Sequence, residues 1–195
     1  MPTLLYLCPF RLVPPRGGGA LRALHLLRQL AGFADVHAVV FQHEAELREA
    51  PEQHSLPDNV QIHSPLDQPP PATLFDRLPR RIGPALHFRW LRRSCRGPAD
   101  ATLLQCHHLL AEVLRRERVD AAVMLELSAL AAAPLIRRLS PGTVRILDAF
   151  NVNHLLLADE LRETTDPCAL RTLRRDLRRV EWTERHLDRF VHGIW

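Results

Sequence analysis

Four polar side chains directly follow an apolar run in the second half of the chain, namely Asp148, Asn151, Asn153 and His154. A carboxylate and an imidazole placed together can hydrogen-bond a substrate hydroxyl or transfer a proton. The alternative is that Asp148 or Asn151 caps the next helix. Glu126 also follows an apolar run, and it is either a base or a solvated loop carboxylate. The candidate catalytic residues are therefore Glu126, Asp148 and His154.

A run of three glycines, Gly17, Gly18 and Gly19, separates a short apolar stretch from a segment with helical periodicity. Glycines let the backbone approach a ligand closely, and the N-terminus of a following helix favours phosphate or sugar hydroxyls. The alternative is a flexible strand-to-helix turn. The run does not match GxGxxG, so it does not indicate a dinucleotide site.

The tripeptide Cys106-His107-His108, with Cys95 eleven residues earlier, suggests a zinc site, but this spacing matches no recognised set of zinc ligands. Neighbouring residues of a helix point about 100° apart. Cys106 also falls on the apolar stripe of its segment, which predicts a core residue. We therefore expect neither a metal nor another cofactor.

Residues 75–96 form the one strongly basic segment of the chain, with seven arginines and one aspartate among apolar and aromatic side chains. Such a segment suits an anionic membrane surface. The candidate membrane-facing residues are Arg80, Arg81, Arg89, Trp90, Arg92 and Arg93. A solvated surface helix is the alternative, and no recognised nucleic-acid module accompanies the charge. The arginines of 171–179 suggest only a solvated helix face, because Asp176, Glu181 and Glu184 are interspersed.

Apolar runs and helical patterns alternate along the chain. Strands are predicted at 3–8, 36–41, 60–63, 121–125 and 144–147, with a further strand beginning at 189–191. Helices are predicted at 20–31, 101–117, 128–139 and 167–186. This order predicts a single α/β domain over 1–195, with a Rossmann-like parallel sheet covered by helices on both faces.

Composition agrees with one globular domain, since the chain has 195 residues and a hydrophobic fraction of 46%. No apolar stretch approaches the roughly 18 residues that a membrane-spanning helix needs. The N-terminus lacks the basic start and cleavage site of a secretory leader. We therefore expect a cytoplasmic protein, with peripheral association at the inner face of the membrane as one option.

The order of these features resembles the acceptor-side, N-terminal half of family-4 glycosyltransferases of the GT-B fold. The first strand, Pro14-Pro15, the glycine run, Arg22 and the leucine-rich helix are similar to the start of that family. The stretch 144–153 is similar to its Asp-x-His-Asn-Val-Glu motif, with Phe150 in place of the histidine and Asn153 in place of the glutamate.

The resemblance implies transfer of a sugar from a nucleotide-activated donor to a glycan or lipid-linked acceptor. It implies that Gly17, Gly18, Gly19 and Arg22 lie beside the donor phosphates, and that Asp148 and Asn151 line the acceptor side. The donor-binding half of such enzymes has no counterpart in the sequence, so we expect no transfer by this chain alone. The alternatives are a non-catalytic module that docks to a membrane or to a separate donor-domain chain, and an unrelated α/β enzyme.

Overall fold

The structure of the protein, a computed structural model, describes residues 1–49, 51, 55–67, 100–149 and 152–195. Within this part of the chain a six-stranded sheet forms the centre of the fold. The strands are β1 (Thr3–Cys8), β2 (Asp35–Val40), β3 (Val60–His63), β4 (Ala121–Leu125), β5 (Val144–Asp148) and β6 (Gly193–Ile194). The inner strands read as nearly continuous apolar runs because helices cover both faces of the sheet.

All neighbouring strands are parallel, in the order β3-β2-β1-β4-β5-β6. The chain builds outward from β1 to β3 and then returns to place β4 on the other side of β1. Where the strand order reverses in this way, the loops after the two central strands diverge and open a crevice at the carboxyl ends of the strands. The predicted Rossmann-like α/β domain is confirmed.

The described helices surround this sheet. They are α1 (Gly18–Ala31), α2 (Glu44–Arg48), α3 (Asp100–Arg116), α4 (Glu126–Ala129), α5 (Ala133–Leu139), α6 (Asn153–Glu163) and α7 (Pro167–Arg185), with 3₁₀ turns at Leu130–Ala132 and Leu187–Arg189. None of the described helices is both long and apolar enough to cross a bilayer.

Two apolar cores lie on opposite faces of the sheet because side chains alternate along each strand. On one face, Tyr6 of β1 packs with Leu24 and Leu27 of α1. On the other face, Leu5 of β1 packs in a cluster with Leu110 of α3 and with residues of α5 and α7. Cys106 packs against this second cluster, which confirms its predicted place in the core.

Two predicted elements were wrong in detail. The helix predicted over 128–139 is interrupted by a 3₁₀ turn before α5. Pro134 explains the break, since proline has no N–H and its ring would clash with the carbonyl four residues earlier. The last strand begins at Gly193 rather than 189, because Phe190 turns its carbonyl toward the guanidinium of Arg145, whose Nε donates to it at 2.8 Å.

A pair of histidines joins β2 to β3. His37 Nδ1 lies 3.0 Å from His63 Nε2, so one imidazole donates to the other and a neutral ring must accept. Burial lowers the pKa of both rings, against weaker opposing effects of carboxylates that include Glu117. Burial also lowers the pKa of His107.

We expect these histidines to make folding sensitive to mild acid. The unfolded chain binds a proton near its ordinary pKa of about 6.5, whereas the folded chain resists protonation. The stabilisation that comes from keeping these histidines neutral is therefore complete above about pH 6.5, and it is lost as the pH falls toward the lowered pKa values. The free energy of unfolding then falls by at most about 1.4 kcal/mol per pH unit for each histidine. Urea unfolding at pH 7 and pH 5 measures this loss.

The variant His63→Gln removes one of the titrating groups, so its stability should fall less between pH 7 and pH 5. His25→Gln, at an exposed position of α1, is the control and should retain the wild-type dependence. An unchanged slope in His63→Gln would contradict the assignment.

Candidate functional site

The turn from β1 into α1 places three glycines, whose backbone is not covered by side chains, at the carboxyl edge of the sheet. Gly17 precedes the helix with φ 86° and ψ 169°, a conformation that is essentially restricted to glycine. Its carbonyl accepts from the N–H of Leu21 at 3.2 Å. Gly18 and Gly19 lie inside the first turn of α1, two residues earlier than predicted, and no earlier helical carbonyl can accept their N–H groups. The positive end of the helix therefore lies at the carboxyl edge of the sheet.

The two glycines that begin this turn should respond differently to alanine. Neither has an atom within 4 Å of an added Cβ, but only Gly17 has a positive φ. Gly17→Ala should lower the free energy of unfolding by about 1–3 kcal/mol through backbone strain. Gly18→Ala is the matched control and should raise it by about 0.4–1 kcal/mol by restricting the unfolded chain. Urea unfolding of both variants checks this, and equal effects would be inconsistent with the strained turn.

Gln42, just after β2, fixes the other end of the same loop. Its side-chain oxygen accepts from the N–H groups of Leu12 and Val13 at 2.9 and 3.0 Å, and its nitrogen donates to the carbonyl of Val13. The residue is only 1% exposed. A single amide thus satisfies three buried backbone groups. Sequence reasoning missed Gln42, since a glutamine after a strand carries no pattern of its own.

Asp148, at the end of β5, is fully buried and binds Arg22 of α1. Arg22 donates through Nε at 3.0 Å to one carboxylate oxygen and through a terminal nitrogen at 2.6 Å to the other. This two-point contact positions the guanidinium, whose side chain is 51% exposed. The hydrogen bond to Asp148 is the main cause that raises the pKa of Arg22. The alternative in which Asp148 caps the next helix does not hold, because Val152 is the residue before that helix and Arg22 binds both carboxylate oxygens of Asp148.

Glu126 directly follows β4 and begins α4. It has φ 64°, in the left-handed region that costs a residue with a side chain of order 1–3 kcal/mol, and the residue is 7% exposed. Such strain persists where surrounding structure imposes it, and it concentrates at functional sites. Its carboxylate accepts from Asn153 Nδ2 at 3.2 Å. The predicted alternative of a freely solvated loop carboxylate therefore does not hold.

A second carboxylate, Glu184 of α7, organises the start of α6. One oxygen accepts from the backbone N–H of Asn153 at 2.9 Å, and the other pairs with Nδ1 of His154. Val152 provides no side-chain cap for this helix, so Glu184 caps it from another element. The Glu126–Asn153–Glu184–His154 network links α4, α6 and α7, and Glu184 orients the imidazole. Glu184 was not predicted as a site residue.

Two other polar groups near this edge are poorly suited to proton transfer. Burial raises the pKa of Tyr6, whose hydroxyl donates to the carbonyl of Ala23 at 2.7 Å. Burial also raises the pKa of the Cys8 thiol to about 12. Both groups therefore stay protonated at neutral pH, so neither is suited to accept a proton there.

The structure brings the glycine turn, Arg22, Asp148, Glu126 and His154 to the carboxyl edge of one sheet. Asn151 lies outside the described residues, so its predicted place on the acceptor side stays a prediction. The same holds for the basic segment, with Arg80, Arg81, Arg89, Trp90, Arg92 and Arg93. Within the described ranges no three potential ligands form a metal-binding group.

No protein-family model matches the chain, and no curated protein matches it. No relative therefore indicates what this edge of the sheet binds, and its chemistry is inferred from its own residues alone. Its two parts differ in character. The turn into α1 and Arg22 suit an anion, whereas Glu126, Asn153 and His154 suit hydroxyl groups and proton transfer.

Proposed function

We propose that the chain forms the acceptor-side half of a sugar transferase that uses a nucleotide-sugar donor. The observation that carries the proposal is that the glycine turn before α1 and a carboxylate–imidazole network lie at the same edge of the sheet. A nucleotide-sugar presents a diphosphate, and its acceptor presents a hydroxyl that must lose a proton. This edge offers groups of matching chemistry to both.

The donor diphosphate would lie against the first turn of α1. Three N–H groups follow Gly17 there, and the positive end of the helix adds a favourable field. Arg22 lies one turn further along α1, where two hydrogen bonds to Asp148 fix the orientation of its guanidinium. In this proposal Asp148 positions Arg22 and does not itself contact the ligand, since its side chain is fully buried.

The acceptor hydroxyl would lie against the network around Glu126. The amide of Asn153 holds the carboxylate of Glu126 from one side. His154 has its Nδ1 paired with Glu184, so the proton exchanged with a ligand would move through Nε2. This assignment keeps Glu126 and His154 as the groups that contact substrate.

Reaction between the two substrates needs both of them in a fixed relative geometry. The proposal assigns this sheet edge one wall of the reaction centre, and a donor-binding domain would supply the other wall. Because the first turn of α1 would contact only the donor diphosphate, we expect weak binding of a nucleotide-sugar by the chain and no efficient transfer. Robust transfer by the purified chain would contradict its assignment as one half of the enzyme.

A charge placed in the first turn of α1 tests the proposal while preserving the fold. Gly18 has open space for a side chain, and an acidic residue there stabilises a helix by roughly 0.3–1 kcal/mol. The same carboxylate would repel a diphosphate. Gly18→Asp should weaken binding of UDP-glucose or GDP-mannose at least tenfold, measured by saturation-transfer NMR and calorimetry.

Gly18→Asn is the matched control, since it adds the same volume without the charge. It should keep affinity within about threefold of wild type. Equal affinities for the Asp and Asn variants would place the phosphates elsewhere. A wild-type chain that binds neither nucleotide-sugar would contradict the proposed function itself.

A further inference from the structure

One face of α7 carries arginines without any carboxylate. At about 100° per residue, Arg171, Arg174, Arg175, Arg178 and Arg185 fall within a sector of roughly 100°. All five are exposed, and the first and last lie about 21 Å apart along the axis. We call these five residues the arginine face.

The carboxylates of the same helix lie outside that sector. Asp176, Glu181 and Glu184 are partly buried, and Glu181 lies at the border of the sector, about 20° beyond Arg174. Asp176 binds Arg179 at 3.6 Å, and Glu184 is used by the cap of α6. The acidic residues are therefore interspersed in sequence but lie beside the arginine sector and not within it. The five arginines are exposed, in agreement with the predicted solvated helix face.

Most of the arginine face has no ionic partner in the described part of the chain. Arg175 lies 3.3 Å from Asp176, whereas Arg171, Arg174, Arg178 and Arg185 form no salt bridge with any described residue. Guanidinium groups in a straight row repel one another unless anions lie between them. Such a row fits a surface with repeated phosphates, which guanidinium groups contact through two hydrogen bonds each.

Trp182 lies within the same sector and is 39% exposed. Its ring stacks on His186 at 4.4 Å, and the guanidinium of Arg189 lies 5.8 Å from its centre. These partners compete with a nucleobase for stacking on the ring. An exposed indole edge among arginines is typical of the interface between lipid headgroups and hydrocarbon.

The neighbouring helix distinguishes a bilayer from a nucleic acid. α6 exposes Leu155 and Leu156, each 54% accessible, together with the carboxylates of Asp159 and Glu163. The carboxylates would repel nucleic-acid phosphates and anionic headgroups alike, but the leucines would gain nothing from a nucleic acid. Exposed leucines and an indole can instead enter the headgroup region of a bilayer.

We propose that the arginine face binds an anionic lipid bilayer. The attraction is electrostatic, at roughly 1 kcal/mol for each arginine near an anionic leaflet. The apolar side of α7 stays packed in the protein through Leu173 and Val180, so the helix lies on the surface without inserting. This surface is independent of the sugar-transferase assignment, and it differs from residues 75–96.

Vesicle sedimentation with the full chain tests this surface. Vesicles of phosphatidylcholine with about one quarter phosphatidylglycerol should bind the chain, and vesicles of phosphatidylcholine alone should not. Binding should weaken strongly between about 0.1 and 0.5 M salt because surface attractions are screened. The fourfold variant R171Q/R174Q/R178Q/R185Q should lose at least tenfold in affinity.

The control variant R48Q/R115Q/R116Q/R118Q removes the same charge from exposed positions on α2 and around the end of α3. It should keep affinity within about threefold of wild type, and thermal unfolding by circular dichroism checks that both variants fold. Equal affinities for the two variants, or no binding to anionic vesicles, would overturn the proposal. A fourfold variant that loses affinity for a short DNA duplex but not for vesicles would overturn it in favour of nucleic acid.

Discussion

Replacing Arg22 with alanine is expected to lower the free energy of unfolding by about 3 kcal/mol. The substitution leaves the carboxylate of Asp148 fully buried without the guanidinium that binds both of its oxygens. Breaking a buried ion pair costs about 3–5 kcal/mol, and the half-exposed Arg22 side chain favours the lower end, since water can reach the space it leaves. Urea unfolding at pH 7 measures the loss.

Two further variants separate the ion pair from other effects of the substitution. Asp148→Asn removes the charge but keeps the shape, so Arg22→Ala should cost less in that background by at least about 1 kcal/mol. Arg16→Ala, at an exposed arginine of the preceding loop, should change stability by less than about 0.5 kcal/mol. Additive effects at positions 22 and 148 would contradict the described contact.

Gln42→Ala should destabilise the protein by about 2–4 kcal/mol, even though the residue is neutral. It would leave the N–H groups of Leu12 and Val13 without their acceptor, and each buried unsatisfied group costs about 1–3 kcal/mol. The loop between β1 and α1 should also become mobile, and hydrogen exchange at Leu12 and Val13 should accelerate at least tenfold.

Gln42→Glu tests the polarity of this contact, because it keeps an acceptor but loses the donor to the carbonyl of Val13. We expect it to be at least as destabilising as Gln42→Ala, since it also buries a charge. Gln29→Ala at an exposed position of α1 is the control and should be nearly neutral. Unchanged exchange at Leu12 in Gln42→Ala would show that other contacts hold the loop.

The sheet could be predicted closely because its strands are short apolar runs bounded by polar or turn residues. β1 and β4 have the predicted bounds, since continuous burial on two faces leaves a clear pattern. Helix α6 was missed for the opposite reason. None of its residues is buried, so its leucines do not form the one-sided stripe by which a helix is recognised.

The contacts that build the site were beyond prediction. Arg22 and Asp148 are separated by 126 positions, and only the packing of α1 beside the end of β5 brings them together. Glu184 similarly reaches Asn153 from another helix. The sequence indicated that Glu126 and Asp148 follow strands, and the rule for parallel sheets then placed them at one edge. Which carboxylate would be buried, strained or paired depends on neighbours distant in sequence.

The most direct test of the central claim is amide NMR of the full chain during titration with UDP-glucose and GDP-mannose. The proposal predicts shifts at Gly17–Arg22 with at least one donor, together with smaller shifts at Glu126 and His154. The opposite edge of the sheet should remain unchanged. Shifts confined to that opposite edge, or none with either donor, would contradict a nucleotide-sugar site at the carboxyl ends of the strands.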